Sequence, residues 1–331
     1  MTGPIVAGAV VQGTAHLARG RGCQDAFKAV SGQGGPPPGG RGNPPVVLAV
    51  ADGAGSRDRS ALGAHLAVDA ACRLLAAGVP PADGDAAAWR AWIGERSVAV
   101  LDAYLRAVRA VLAADRPTGA PQPDGPGVAD GPGAADGPGG TDGPGGAHAP
   151  DEGALAATLA AAVLRPPWVA LLSVGDCFAT VLTRPGSGDD HDGIGTDAEG
   201  TDGGDRGGGD RGAEQCRLVL PPHTPAVFLS SPGARDRLTT LVLREPDLSG
   251  VVLATDGCAP LALDHPSALG LPDRHGPLAA PDFFRPLAAV LRANGGDAAP
   301  LRALLSGPSA GRSGDDLTVL CALLPDGARW P

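Results

Sequence analysis

Apolar residues in this chain gather into short unbroken runs bounded by turn formers, the mark of strands covered on both faces. Such runs occupy residues 5–12, 26–30, 46–51, 154–164, 168–174, 178–182, 217–220, 226–230, 251–256 and 317–324. Two windows carry a longer period. Over 60–77, Leu62, Leu66, Ala70 and Leu74 recur at helical spacing, and over 83–114 Trp89, Trp92, Val100, Tyr104, Val108 and Val111 form an apolar stripe. Both windows are predicted helices, and the stripe is expected to face the core. Two short helical segments are expected within 283–305, a turn-rich link between the first two strands, and a loop over 32–45. Consecutive strands joined by short turns favour antiparallel pairing over a doubly wound parallel sheet. The expected class is α+β.

Two tracts interrupt this pattern. Residues 118–152 repeat DGPG four times, from Asp124, Asp130, Asp136 and Asp142, and residues 185–214 are mostly Gly, Asp and Thr. Neither has enough to bury, so both read as disordered loop insertions. Setting aside these 35 and 30 residues leaves 266 of the 331, a suitable size for a single domain over 1–331. The tracts carry −6 and −7 of the formal charge of −10, so the remainder is near +3. That balance gives no case for a nucleic-acid partner.

The first residues, MTGPIVAGAVV, have neither a basic leader nor a cleavage pattern, and the apolar stretch 154–174 is broken by Arg165-Pro166-Pro167. Export and a membrane partner are therefore not expected. Six cysteines are scattered without a CxxC pair, which argues against a zinc site or a disulfide framework. A cytoplasmic protein is the expectation.

Several strand runs end on an acid. VVLAVADG ends at Asp52-Gly53, VVLATDG at Asp256-Gly257 and LLSVGD at Asp176, while Asp25 precedes the second strand and Asp315-Asp316 the last. If these strands lie side by side, the carboxylates crowd one sheet edge and raise each other's pKa unless a cation compensates. An oxygen-only set selects Mg2+ or Mn2+ over zinc. Two such ions suit an in-line phosphoryl displacement by water, and no GxSxG elbow offers a serine nucleophile instead.

Five segments in order, GTAHLARGRGCQDA from Gly13, VADGAGSRDRSALGAHLAV from Val50, LLSVGDCFA from Leu171, LATDG from Leu253 and GDDLTVL from Gly314, resemble the metal-dependent serine/threonine protein phosphatases of the protein phosphatase 2C type, in their bacterial branch. The resemblance implies two antiparallel sheets packed as a sandwich with helices outside, four layers in the order αββα. It implies hydrolysis of phosphoserine or phosphothreonine on a protein, by water shared between two Mn2+ or Mg2+ ions, with a looser third ion beside them. Asp52 and Asp256 would carry the chemistry. Asp52 would bridge the two ions, with the Gly53 carbonyl supporting one. Asp256 and Asp315 would bind the first, Asp25 would serve the second and Asp176 the third. Gln24 and Asp316 would stand behind these ligands. Arg19 and Arg21 would grip the substrate phosphate, with His16 as a further contact. The implied partner is a phosphoprotein, opposite a serine/threonine kinase. Several positions depart from the better-known pattern: Gly20 stands where a phosphate-binding arginine is usual, Gln24 replaces a glutamate, Ala54 a histidine proposed as general acid, and Phe178 an arginine. They leave open a catalytically weak binding module, and a small phosphate-ester hydrolase is a third reading.

Overall fold

The structure, a computed structural model, describes residues 3–31, 44–115, 151–185, 213–223, 225–308 and 313–325. In chain order the elements are β1 (Ile5–Val11), α1 (Thr14–Ala18), β2 (Ala26–Ser31), β3 (Val46–Ala51), α2 (Ser60–Leu75), α3 (Ala86–Ala114), β4 (Leu159–Arg165), β5 (Trp168–Val174), β6 (Phe178–Thr183), β7 (Gln215–Leu220), β8 (Thr239–Arg244), β9 (Leu248–Ala254), α4 (Ala259–Ala262), β10 (Leu263–Asp264), β11 (Leu278–Ala279), α5 (Pro281–Ala293), α6 (Ala299–Leu305) and β12 (Leu317–Leu323). Two five-stranded sheets run in the orders β1-β12-β9-β6-β7 and β2-β3-β4-β5-β8, and β10 and β11 form a small ribbon. Every pairing is antiparallel.

Burial explains the unbroken apolar runs. Alternate residues of a strand face opposite ways, and in the central strands both faces are covered. Leu48 and Val50 of β3, Leu171 of β5, Val251 and Leu253 of β9 and Leu320 of β12 pack between the sheets. Their neighbours Val47, Ala49, Ala170 and Leu172 pack beneath α2 and α3. On the far side, Ala9, Val252, Val319 and Cys321 meet Phe283, Phe284, Leu287 and Leu291 of α5 and Leu301 and Leu305 of α6. The layers are thus helix, sheet, sheet, helix, as expected. α3 starts where the Asp85 carboxylate accepts from the Ala88 N–H at 2.7 Å, an N-cap. Its stripe is core: Trp89 stacks on Trp168 at 5.8 Å and meets Trp92 edge-on at 5.8 Å.

Several expectations need correction. Residues 226–230 form no strand; the segment turns on itself, with Phe228 N–H donating to Ser231 Oγ at 3.1 Å and Ser231 N–H to the Phe228 carbonyl at 2.9 Å, and it docks through Leu229 N–H to the Ala157 carbonyl at 2.8 Å. The strand in that region is β8, which pairs with β5. The run from Ala154 begins as a short 3-10 turn over Glu152–Leu155, and its strand starts only at Leu159. The link after β1 contains the one-and-a-half-turn helix α1. Most of 32–45, 118–152 and 185–214 lies outside the described residues. The tract edges are held: Glu152 pairs with Arg109 at 2.7 Å and Glu214 with Arg292 at 2.9 Å, so ordering by ion pairs reaches further than composition suggests.

Candidate metal centre

Strand register brings the acids together. Ala26 of β2 pairs with Ala51 of β3, so one further step sets Asp25 opposite Asp52. Phe178 of β6 pairs with Ala254 of β9, and continuing that register sets Asp176 opposite Asp256. Val319 of β12 also pairs with Ala254, which brings Asp315 and Asp316, just before β12, to the same end. The two sheets stack face to face, and these ends meet. Asp52, Asp176 and Asp256, all half-buried, each offer a carboxylate oxygen, and the three oxygens lie within 4.8 Å of one another.

The turns that present these acids are tightly built. The Asp52 carbonyl accepts from Thr158 N–H at 2.8 Å, and its N–H donates to Thr158 Oγ1 at 3.2 Å. Gly53 donates to the Gln24 carbonyl at 3.2 Å. A Cβ at Gly53 would lie 2.7 Å from the Ser60 carbonyl, where α2 begins, and one at Gly257 would lie 1.9 Å from the Asp316 carbonyl oxygen. Glycine follows both acids because backbone occupies the space a side chain would need. Asp25 is 6% exposed. Its Oδ2 accepts from Thr255 Oγ1 at 2.7 Å, and its Oδ1, like Asp176 Oδ1, is buried without a hydrogen-bond partner.

Charge is the dominant feature of this end. Burial, first of all, pushes the Asp52 carboxyl well above the usual range, and Asp25, Asp256 and Asp315 add to it. Burial raises Asp25 to about 7, with the neighbouring hydroxyls of Thr318 and Thr255 acting against it. Burial with the charges of Asp176 and Asp315 lifts Asp256 to about 6, and burial likewise raises Asp176. A cation reverses this logic by favouring the ionised oxygens. Hard oxygen donors, orphaned buried oxygens and mutually raised carboxyls together fit Mg2+ or Mn2+.

The remaining expected site residues are spread around this cluster. Gln24 is buried, donates from Nε2 to the Arg57 carbonyl at 3.3 Å, and has its Oε1 buried without a partner. Arg21 donates to the Gly55 carbonyl in the turn after Asp52, whereas Arg19 is exposed. His16 is buried and faces inward, toward Asp315 and Asp316. Asp316 is buried and takes backbone donors. Ala54 is buried, its N–H bonded to the Ala156 carbonyl at 2.9 Å. Phe178 packs under α5, on the outer face of its sheet, away from the layer between the sheets. Sequence reasoning missed Thr158 and Thr255, whose hydroxyls brace Asp52 and Asp25. The threonine directly before Asp256-Gly257 was the available signal.

A family model described as protein phosphatase 2C matches residues 12–190. Among solved structures, the serine/threonine phosphatase from Staphylococcus aureus is similar at 12% identity, covering 98% of this chain and 96% of that one, with a TM-score of 0.50. The serine/threonine phosphatase of Mycobacterium tuberculosis is similar at 14% identity, 98% and 99% coverage and a TM-score of 0.50. A bacterial serine phosphatase reaches a TM-score of 0.52 at 12% identity, with 98% of each chain covered. At such identities the likeness speaks for the fold. No curated protein matches the chain.

Proposed function

The chain belongs to the protein phosphatase 2C family, which makes it a metal-dependent serine/threonine phosphatase, and we propose that Asp52, Asp256 and Asp315 hold its first ion. Asp52 would also hold a second ion, with the Gly53 carbonyl and Asp25, and Asp176 would hold a third. Mn2+ or Mg2+ supplies two things when bound: a water made nucleophilic at neutral pH, and relief of charge on the phosphoryl oxygens. The residues supply the rest. The carboxylates fix the ions against the strand ends, and the close backbone packing at Gly53 and Gly257 keeps those ends from shifting. Arg21, already directed at the turn after Asp52, and the exposed Arg19 present guanidinium donors to a phosphate. Ala54 has no ionisable group to give a proton, so the leaving alkoxide takes its proton from solvent or from another side chain.

The substrate is a phosphoserine or phosphothreonine on a protein, placed there by an opposing serine/threonine kinase. One phosphatase-like domain does the work, a reading supported by the pairing of β1 with β12 from opposite ends of the chain. Six free cysteines support a reducing, cytoplasmic setting. Among the described residues no helix is long and apolar enough to cross a membrane.

The approach of Asp52, Asp176 and Asp256 to within 4.8 Å carries this reading. Phosphate release from a phosphothreonine peptide is the test, with Mn2+, with Mg2+ and with EDTA, comparing the intact chain with Asp52→Asn. Metal-dependent release should fall by more than roughly a hundredfold in the variant, beyond the usual cost of losing an outer partner. Equal release by both chains would overturn the assignment.

A further inference from the structure

Asp25 and Asp176 each leave a buried oxygen without a hydrogen bond, but Asp316 has both oxygens engaged. Its Oδ1 accepts from the Gly13 N–H at 2.7 Å and its Oδ2 from the Gln24 N–H at 2.6 Å, and it is 1% exposed. The His16 ring lies against the same turn, with Nδ1 3.0 Å from Asp316 Oδ2 and Nε2 3.8 Å from Asp315 Oδ1. Ala15 adds a backbone bond to the Gly314 carbonyl at 2.9 Å. Gly13 leaves no slack, since a Cβ there would stand 2.3 Å from the Asp315 carbonyl carbon. Segment 13–25, which ends in Asp25, is therefore stitched to the turn that presents Asp315.

We propose that Asp316 and His16 are positioning residues of the metal centre: Asp316 clamps segment 13–25, and His16, 3.0 Å away, backs Asp316. The inference rests on the assignment of Asp25 and Asp315 as metal ligands. A carboxylate suits position 316 because it accepts at two oxygens, whereas an asparagine offers one and would turn an NH2 toward a backbone N–H. Two donors from residues 11 positions apart in sequence are thereby held by one side chain. His16 works by facing the acids. Partners that orient ligands from behind are worth roughly 10–100-fold in metal affinity.

The test titrates Mn2+ alone, by calorimetry, into the intact chain, Asp316→Asn and His16→Phe, at a temperature where circular dichroism shows each folded. Amide exchange at Gly13 and Gln24 is followed on the metal-free proteins. Asp316→Asn should bind Mn2+ about 10–100-fold more weakly and lose protection at Gly13 or Gln24. His16→Phe, which keeps a ring but no nitrogen, should weaken Mn2+ binding with those amides still protected. Ser97→Ala, which removes a hydroxyl bonded only to the Gly94 carbonyl within α3, should lower the melting temperature without changing Mn2+ affinity. Intact-chain Mn2+ affinity and amide protection in both variants would overturn the proposal. Should Asp316→Asn fail to fold, His16→Phe decides it through the metal titration. An intact chain that binds no Mn2+ would defeat the metal-centre assignment instead, and the exchange data would still decide whether Asp316 clamps the loop.

Discussion

Thr255 donates its hydroxyl to Oδ2 of Asp25 at 2.7 Å, and this bond ties the two sheets together. Asp25 leads into β2 of one sheet, and Thr255 follows β9 of the other. The Thr255 hydroxyl oxygen in turn accepts from the Thr318 N–H of β12 at 3.1 Å. Thr255→Val removes both bonds while keeping the shape, and leaves a buried carboxylate and a buried N–H unsatisfied. The expected loss is about 1–3 kcal/mol for each group stranded, read by urea unfolding of the metal-free chain. Thr255→Ser should recover most of it. Equal stability of the valine and serine variants would show that the bond contributes nothing.

Titration of the acids should make the metal-free fold less stable as pH rises. Folded Asp25 is held up at about 7 and Asp256 at about 6, against an ordinary 3.8. A carboxyl whose folded pKa is raised binds its proton more tightly when folded, so its stabilisation is present at low pH and is lost as pH climbs through the folded value. Between about pH 4 and pH 7 these two groups lower stability. In EDTA the melting temperature should therefore be higher at pH 5 than at pH 7, and Asp25→Asn should narrow the gap. Mn2+ in excess should raise the pH 7 value, because it binds the folded chain alone. A pH 5 to pH 7 difference unchanged by Asp25→Asn would count against a burial-raised Asp25.

Gly257→Ala places a methyl where the Asp316 carbonyl oxygen now stands, 1.9 Å from the ideal Cβ. The backbone must move apart just where Asp256 is presented. Overpacking of this kind costs about 1–3 kcal/mol, and Mn2+ affinity should fall with it. Gly94→Ala, at a helix position with nothing within 4 Å of the added carbon, should leave affinity intact and slightly raise stability. Calorimetry and thermal unfolding of the two variants separate a local clash from a general effect.

Phe178→Ala should damage the fold and spare the metal. The ring is 1% exposed and packs in the layer under α5, so its loss should cost about 3–5 kcal/mol. Mn2+ affinity, measured below the lowered melting temperature, should stay within about threefold of the intact chain, well short of the roughly 10–100-fold cost of losing a ligand's partner. A large drop in affinity would place residue 178 within reach of the metal centre.

Local pattern carried much of this protein. Runs such as VVLAVADG and VVLATDG announce buried strands and tight exits because β-branched side chains and Asp-Gly turns act over a few residues, and the helical period over 60–77 and 83–114 is equally local. The same text marked Asp52, Asp176 and Asp256 as strand-end acids. Pairing is a different matter. That Asp25 lies opposite Asp52, and Asp176 opposite Asp256, follows from register set by neighbours up to tens of residues away. The run at 226–230 reads as a strand and β8 gives no stronger signal, because a short apolar run looks alike whether or not a partner edge waits for it. Likewise Thr255 reaching Asp25 across the sheets, and His16 turning toward Asp315 and Asp316, depend on two sheets stacking face to face. Periodicity and turn chemistry determine which residues leave a strand as acids; only the tertiary packing, which sets distances between segments far apart in sequence, decides which acids share a charge.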